Sequence, residues 1–307
     1  MTYLRIIFTS LLAVAAMVLS TSAYAALEKR VALVIGNGAY TNAPALANPV
    51  TDARAMADKM RAMGFEIVEG YDLDKGGLER TVREFAKTSK DADLSLFFYA
   101  GHGIAVENKN YLIPVDARFE DSSALDFEAI PVNLVTRQMQ YSQGVSLVFL
   151  DACRDNPLAQ ALSRSMGGGT RSSGIGSGLA AMKISNPGKG LAIAFATSPG
   201  AVAYDGSGKH SPFTDALLKH IDEPNTDITE IMSRVTGEVV KTTNQKQRPW
   251  LNTSLTGSVI LNRVEEITAG QQPASLDLDE KRPVVSSANT LERQKVLYNL
   301  ARETGQA

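Results

Sequence analysis

The chain has 307 residues, of which 44% are apolar, with 31 Lys and Arg against 33 Asp and Glu and a formal net charge of −2. A balance this near neutrality excludes a protein that holds polyanions by bulk charge, so neither nucleic acid nor an anionic membrane surface is an expected partner. The apolar fraction suits one sizeable core, and a single Cys excludes a disulfide framework.

Residues 1–25 carry one charged side chain, Arg5, followed by an apolar run from Ile6 to Leu19 and the small-residue pattern Ala23-Tyr24-Ala25. This is the pattern of a secretory signal peptide cut after Ala25, and the run is too short for a permanent span. Without those residues the chain holds 30 basic and 33 acidic side chains. The expected location is periplasmic or extracellular, with no stable membrane span left after cleavage. A lone thiol exposed to an oxidising compartment requires a reason, the plainest being an inert, buried Cys.

Four short apolar runs, Val31 to Gly36, Leu94 to Tyr99, Val145 to Leu150 and Leu191 to Ala196, read as strands buried on both faces. Helical spacing of apolar residues marks Thr51 to Met63, Leu78 to Lys87 and Val132 to Gln140 between them, then Pro212 to Ile221 and Asp227 to Thr242. Gly257 to Leu261 is the expected last strand. Strands alternating with helices predict a mostly parallel sheet covered on both sides. Asn156 to Gly190, with the segment GGGTRSSGIGSG, reads as a long loop. The globular domain is expected over 26–262, followed by a polar tail, 263–307, in which Leu291, Val296, Leu297 and Leu300 suggest a short helix.

Of the three His, His210 and His220 fall where surface positions are expected. His102 lies in Ala100-Gly101-His102-Gly103 directly after a predicted buried strand, where ligands and reactive groups collect in parallel sheets. Cys153, in Asp151-Ala152-Cys153-Arg154, follows another such strand. If those strands are neighbours, imidazole and thiol emerge from one edge. A nearby imidazole converts a thiol into a nucleophile, and the amides of Gly103 and Cys153 are candidates to receive an oxyanion.

The blocks FFYAGHG, FLDACR, FATSPGAVAYDGSGKHSPFTDALL and QRPWLNTSL resemble, taken together, bacterial members of the caspase and metacaspase superfamily of cysteine peptidases. The spacing of 51 between His102 and Cys153 matches the known caspase pattern. The resemblance implies an α/β fold with a mostly parallel six-stranded sheet flanked by helices. It also implies a cysteine endopeptidase using His102 and Cys153 on a peptide or protein substrate, with no required cofactor. Its alternative is a catalytically silent caspase-like module that binds a partner, with 263–307 as the candidate contact. Oligomeric state is not legible.

Caspases hold an Asp before the scissile bond with arginines and a glutamine. Here Asp151 stands at the glutamine position, Ala203-Tyr204-Asp205 replaces a Ser-Trp-Arg segment, and Ala45-Leu46 offers no positive charge. Asp52-Ala53 resembles the pocket acid of metacaspases, which cut after basic residues. Asp52 and Asp151 therefore imply a substrate Arg or Lys, to which each charge-assisted hydrogen bond is worth roughly 1.5 to 3 kcal/mol. Asp52 also reads as an acid favoured by a helix N-terminus. Asp205, followed by Gly206, reads first as a turn and second as a pocket acid. Arg164, Arg171, Lys183 and Lys189 in the 157–190 loop are candidate sites of self-cleavage.

Metacaspases often require calcium. The acids Asp116, Glu120, Asp121, Asp126 and Glu128 do not reproduce their paired aspartates, so a solvated acidic loop is the first reading and calcium the second. Gly36-Asn37-Gly38 lacks the third glycine of a dinucleotide fingerprint, and Gly208-Lys209-His210 lacks the hydroxyl residue of a phosphate loop.

Overall fold

The computed structural model describes residues 28–264 apart from 122, 143, 154–161, 163–174, 177, 178 and 183–189, and it describes 153, 175 and 176 by their backbone alone. The expected signal peptide, most of the 157–190 loop and nearly all of the polar tail lie outside the described residues.

The chain alternates strand and helix. It runs β1 (Arg30–Gly36), α1 (Pro49–Ala62), β2 (Glu66–Tyr71), α2 (Lys75–Thr88) and β3 (Leu94–Val106), then β4 (Lys109–Leu112), α3 (Ala124–Glu128), β5 (Ile130–Pro131), α4 (Val132–Gln140) and β6 (Val145–Cys153). After these come β7 (Ile175–Gly176), β8 (Leu191–Phe195), α5 (Pro212–His220), α6 (Ile228–Thr242) and β9 (Trp250–Thr253). The central sheet has the order β2-β1-β3-β6-β8-β9. Its first five strands are parallel, and β9 is antiparallel to β8. This is the mostly parallel, six-stranded arrangement that the alternating pattern and the resemblance predict.

The apolar runs became central strands because both faces of the sheet are covered. On one face Val34, Phe98, Phe149 and Ala194 pack with Met56 and Met60 of α1 and with residues of α5 and α6. On the other, Leu33, Phe97, Val148 and Ile193 pack with Leu78 and Phe85 of α2 and Val135 and Met139 of α4. The five predicted helices form within three residues of their expected ends.

Several elements differ from the expectation. The last strand is not Gly257 to Leu261 but Trp250–Thr253. Val259 and Leu261 are buried, which gives the later segment its apolar look, but Ile260 makes only one bridge, to Asp227. Strand β2 escapes an apolar-run criterion because Glu66 and Glu69 interrupt it, as an outer strand allows. The third strand does not stop before His102. It continues for thirteen buried residues, and its far end pairs antiparallel with β4 and β7. Strand β6 likewise continues to Cys153.

Helix α6 begins at a designed stop in the chain. Asp227 accepts the Thr229 amide at 2.9 Å as N-cap, and its other oxygen accepts Ser258 Oγ and the Val259 amide, both at 2.8 Å. Burial acts to raise its pKa, but the bonds from Thr229, Ser258 and Val259 outweigh that and hold it at about 2. A carboxylate held below its unfolded value of 3.8 stabilises the fold above that value and loses the contribution as pH falls through about 2. Asp227→Ala is expected to destabilise the protein by about 1 to 2 kcal/mol at neutral pH, with the deficit shrinking toward pH 2, as checked by urea melts of both proteins across that range.

Candidate active site

The strands β3 and β6 pair in parallel without interruption from Leu94 opposite Val145 to His102 opposite Cys153. The two residues singled out by chemistry are therefore direct neighbours across the sheet's carboxyl edge. Gly103 follows on β3, and a Cβ placed on it would stand 3.0 Å from the Cβ of Ala152. The two candidate oxyanion amides thus belong to adjacent strands.

Gly101, whose φ is +153°, lies one residue beyond the last pairing of β3 with β1 and two residues before its antiparallel pairing with β4 begins. A Cβ there would lie 2.7 Å from Tyr40 Oη and 2.8 Å from Tyr99 Oη, so a side chain is excluded both by conformation and by space. Those two hydroxyls hold the next residue: Tyr40 Oη accepts the His102 amide at 2.7 Å, and Tyr99 Oη donates to the His102 carbonyl at 2.8 Å. The Tyr40 ring also lies against the imidazole, with centroids 4.3 Å apart.

The imidazole is 2% exposed as a residue. Its Nε2 is 2.9 Å from the Pro44 carbonyl. A carbonyl only accepts, so Nε2 carries the proton and Nδ1 carries the lone pair. Nδ1 is buried and has no hydrogen-bond partner among the described residues. Burial lowers the His102 pKa, while the Pro44 bond and the Asp205 charge act to raise it. The net shift favours the neutral imidazole.

All three sequence-predicted pocket acids gather beside this edge. Asp52 lies in the first turn of α1, whose start packs tightly on the end of β1: a Cβ on Gly36 would stand 2.3 Å from the Pro49 carbonyl oxygen. Asp151 lies on β6 two residues before Cys153, so its side chain enters the space between α1 and the start of α5. Asp151 Oδ2 accepts the hydroxyls of Ser211, in a very short bond, and Thr214, at 2.7 Å. Asp205 Oδ2 accepts the Ala47 amide at 3.0 Å, and its backbone carbonyl accepts Asn48 Nδ2 at 2.6 Å. Asp205 is thus tied to residues 47 and 48 rather than to a local turn, and its charge acts on both other acids.

Burial raises the pKa of Asp52, with the Asp151 charge next and Asp205 and Asp215 adding to it. Burial likewise raises Asp151, the bonds from Ser211 and Thr214 acting against it. Among the described residues neither carboxylate is paired with Lys or Arg, and Asp52 has His210 Nδ1 at hydrogen-bond distance, 2.7 Å from its Oδ1. Acids raised in this way bind protons more tightly folded than unfolded, so ionising them as pH rises above 3.8 costs stability. A cation entering between them removes that cost.

Two expectations need correction. His210 is not a surface residue: its side chain is 11% exposed and its Nδ1 is 2.7 Å from Asp52 Oδ1. His220 is also largely covered, with Nδ1 2.6 Å from Glu223 and Nε2 2.9 Å from Glu238. Four residues of the site were not singled out from the sequence. Tyr40 and Pro44 carry no local signal, whereas Ser211-Pro212 reads as a helix N-cap followed by Pro at N1, and Thr214 as an ordinary helical residue.

Acids of the 116–128 stretch bind the amides of their own and neighbouring loops. Asp116 accepts the Lys75 amide, Asp121 accepts the Ser123 and Ala124 amides, and Glu128 accepts the amides of Arg118 and Phe119. Acids so committed to loop amides do not fit a calcium cage. Among the described residues no helix is long and apolar enough to cross a membrane.

The chain resembles known proteins over most of this fold. Residues 29–260 match the family model for the caspase domain. The human mucosa-associated lymphoid tissue lymphoma translocation protein 1 and its mouse homolog are each 28% identical over 129 residues, which is 41% of this chain and 15% of each relative. The match therefore spans under a sixth of the curated relatives' length. Caspase-1 from Spodoptera frugiperda superposes with a TM-score of 0.52 at 15% identity, covering 77% of this chain and 91% of that one, a likeness of fold. The sheet order, the edge that carries His102 and Cys153, and the extent of the family match lead to one conclusion: this chain belongs to the caspase-domain family of peptidases.

Proposed function

We propose that this caspase-domain chain is an exported cysteine endopeptidase that cleaves after Arg or Lys, with Cys153 as nucleophile and His102 as its base. The observation that carries the dyad is the register of β3 and β6, which sets His102 opposite Cys153 while Pro44 fixes the tautomer with a free lone pair on Nδ1. Nδ1 takes the thiol proton and the thiolate attacks the scissile carbonyl carbon. The amides of Gly103 and Cys153 receive the oxyanion. Nδ1–H then passes its proton to the departing amine as the C–N bond breaks. A water, deprotonated by the same nitrogen, releases the acyl group from sulfur.

The preference for Arg or Lys rests on charge. Asp52 is 1% and Asp151 5% exposed, Asp205 stands beside them, and no Lys or Arg among the described residues neutralises them. A substrate Asp would add a further negative charge to this space, whereas a guanidinium or ammonium compensates it. Export rests on the leader pattern of residues 1–25, and self-cleavage on the basic residues of the 157–190 loop.

Two reporter peptides, ending in Arg or in Asp before the reporter, test the reading with the protein and its Cys153→Ala variant, with and without calcium. Cleavage after Arg that is abolished in the variant is the expected result. Cleavage after Asp would keep the dyad and overturn the acidic pocket, and no Cys153-dependent cleavage of either would overturn the peptidase.

The same pocket predicts a pH dependence. Burial first, and the neighbouring acids next, hold Asp52 up at about 8. The pocket therefore gains negative charge as pH rises toward that value, and KM for the Arg reporter is expected to fall about tenfold between about pH 5 and about pH 8. KM measured across that range for Arg and for an uncharged Gln reporter checks it, since only the Arg value is expected to move.

A further inference from the structure

We infer that His210 is a specificity-determining positioning residue, one that holds the Asp52 carboxylate for a cationic substrate side chain; this deepens the proposed cleavage after Arg or Lys and rests on that reading. Asp52 projects from the first turn of α1 into a space where it is almost wholly shielded from water. A carboxylate in such a place keeps a fixed orientation only if both oxygens are held. Oδ2 accepts the Ser211 amide at 3.3 Å, a long bond. Oδ1 lies 2.7 Å from His210 Nδ1, which is the firm contact, and once Asp52 is ionised Oδ1 accepts Nδ1–H there.

The two donors are adjacent in sequence and come from the end of the loop that leads into α5. The next turn of that helix, through Ser211 Oγ and Thr214 Oγ1, holds Asp151. One stretch of chain, 210–214, therefore carries both buried acids, and His210 is its link to the acid on α1.

The chemistry of the link matters. A Lys or Arg at this position would hold Asp52 equally well but would cancel its charge and exclude a cationic substrate. A neutral imidazole can donate one N–H without adding a positive charge, so Asp52 keeps its full charge once it ionises. Burial lowers the His210 pKa and the Lys209 charge adds to that, with Asp215 acting against both, so the shift favours the neutral imidazole. The charged groups that face the imidazole are Asp52 on its inner side, and Lys209, Asp215 and Glu238 along the outer groove that it also lines.

The test compares the wild-type protein with His210→Ala and His210→Asn. KM and kcat are measured with the Arg reporter, and the rate of Cys153 alkylation by iodoacetamide reports on the thiol independently of the pocket. His210→Ala is expected to raise KM about tenfold while kcat and the alkylation rate stay within about twofold. The Asn side chain can place an amide N–H where Nδ1–H stood, so His210→Asn is expected to return KM to within about threefold of wild type.

Normal KM in His210→Ala overturns the inference, as does failure of Asn to rescue, or a fall of kcat and alkylation in step with KM. Those outcomes leave the peptidase reading intact. If the wild-type protein shows no Cys153-dependent cleavage after Arg, the proposed function fails first and this inference falls with it.

Discussion

Everything in the site depends on the parallel pairing of β3 with β6. Nine successive residue pairs fix it, beginning with Leu94 opposite Val145 at the amino end. Side chains alternate along both strands, so a slip of one residue would turn each buried set to the wrong face of the sheet. Phe98 and Phe149 belong to the cluster under α1, α5 and α6, while Phe97 and Leu150 belong to the one under α2 and α4. Apolar burial on both faces thus locks the register that brings His102 beside Cys153, and packing far from the site sets its geometry.

The rest of the site hangs on the segment from Pro44 to Asp52. Its Pro44 carbonyl orients the imidazole, its Ala47 amide and Asn48 side chain hold Asp205, and Asp52 supplies the deepest carboxylate. The imidazole and the acidic pocket therefore share one mechanical support. Gly36 allows this by admitting the start of α1 against the end of β1 at a distance that no side chain would tolerate.

The electrostatics are unfavourable to the empty fold. Asp52 and Asp151 are buried near one another, and Asp205 raises the pKa of both. Hydroxyl and amide donors from the start of α5 satisfy their hydrogen bonds without neutralising their charge. Perturbed groups of this kind cluster at functional sites.

How much of this was legible beforehand follows from the range of the interactions. The central strands were readable because burial on both faces demands continuous apolar runs, and the helices because one face must be apolar. Strands β2 and β9 were not, since outer strands are only partly covered and their sequence is unconstrained to match. The residues Asp52, His102, Asp151, Cys153 and Asp205 stood out by position after strands and by motif. Their convergence did not, because it is decided by sheet order. The roles of Tyr40, Pro44, His210 and Ser211 were invisible, since each acts on a residue at least 58 positions away through a hydrogen bond that only the folded chain brings within reach. The sequence by itself determined the alternation of elements, the family resemblance and the chemical types available at one edge. Only the folded chain settles which nitrogen of His102 faces the Pro44 carbonyl, which acids lie near one another, and that His210 stands against Asp52, because those depend on distances across the sheet that no local pattern encodes.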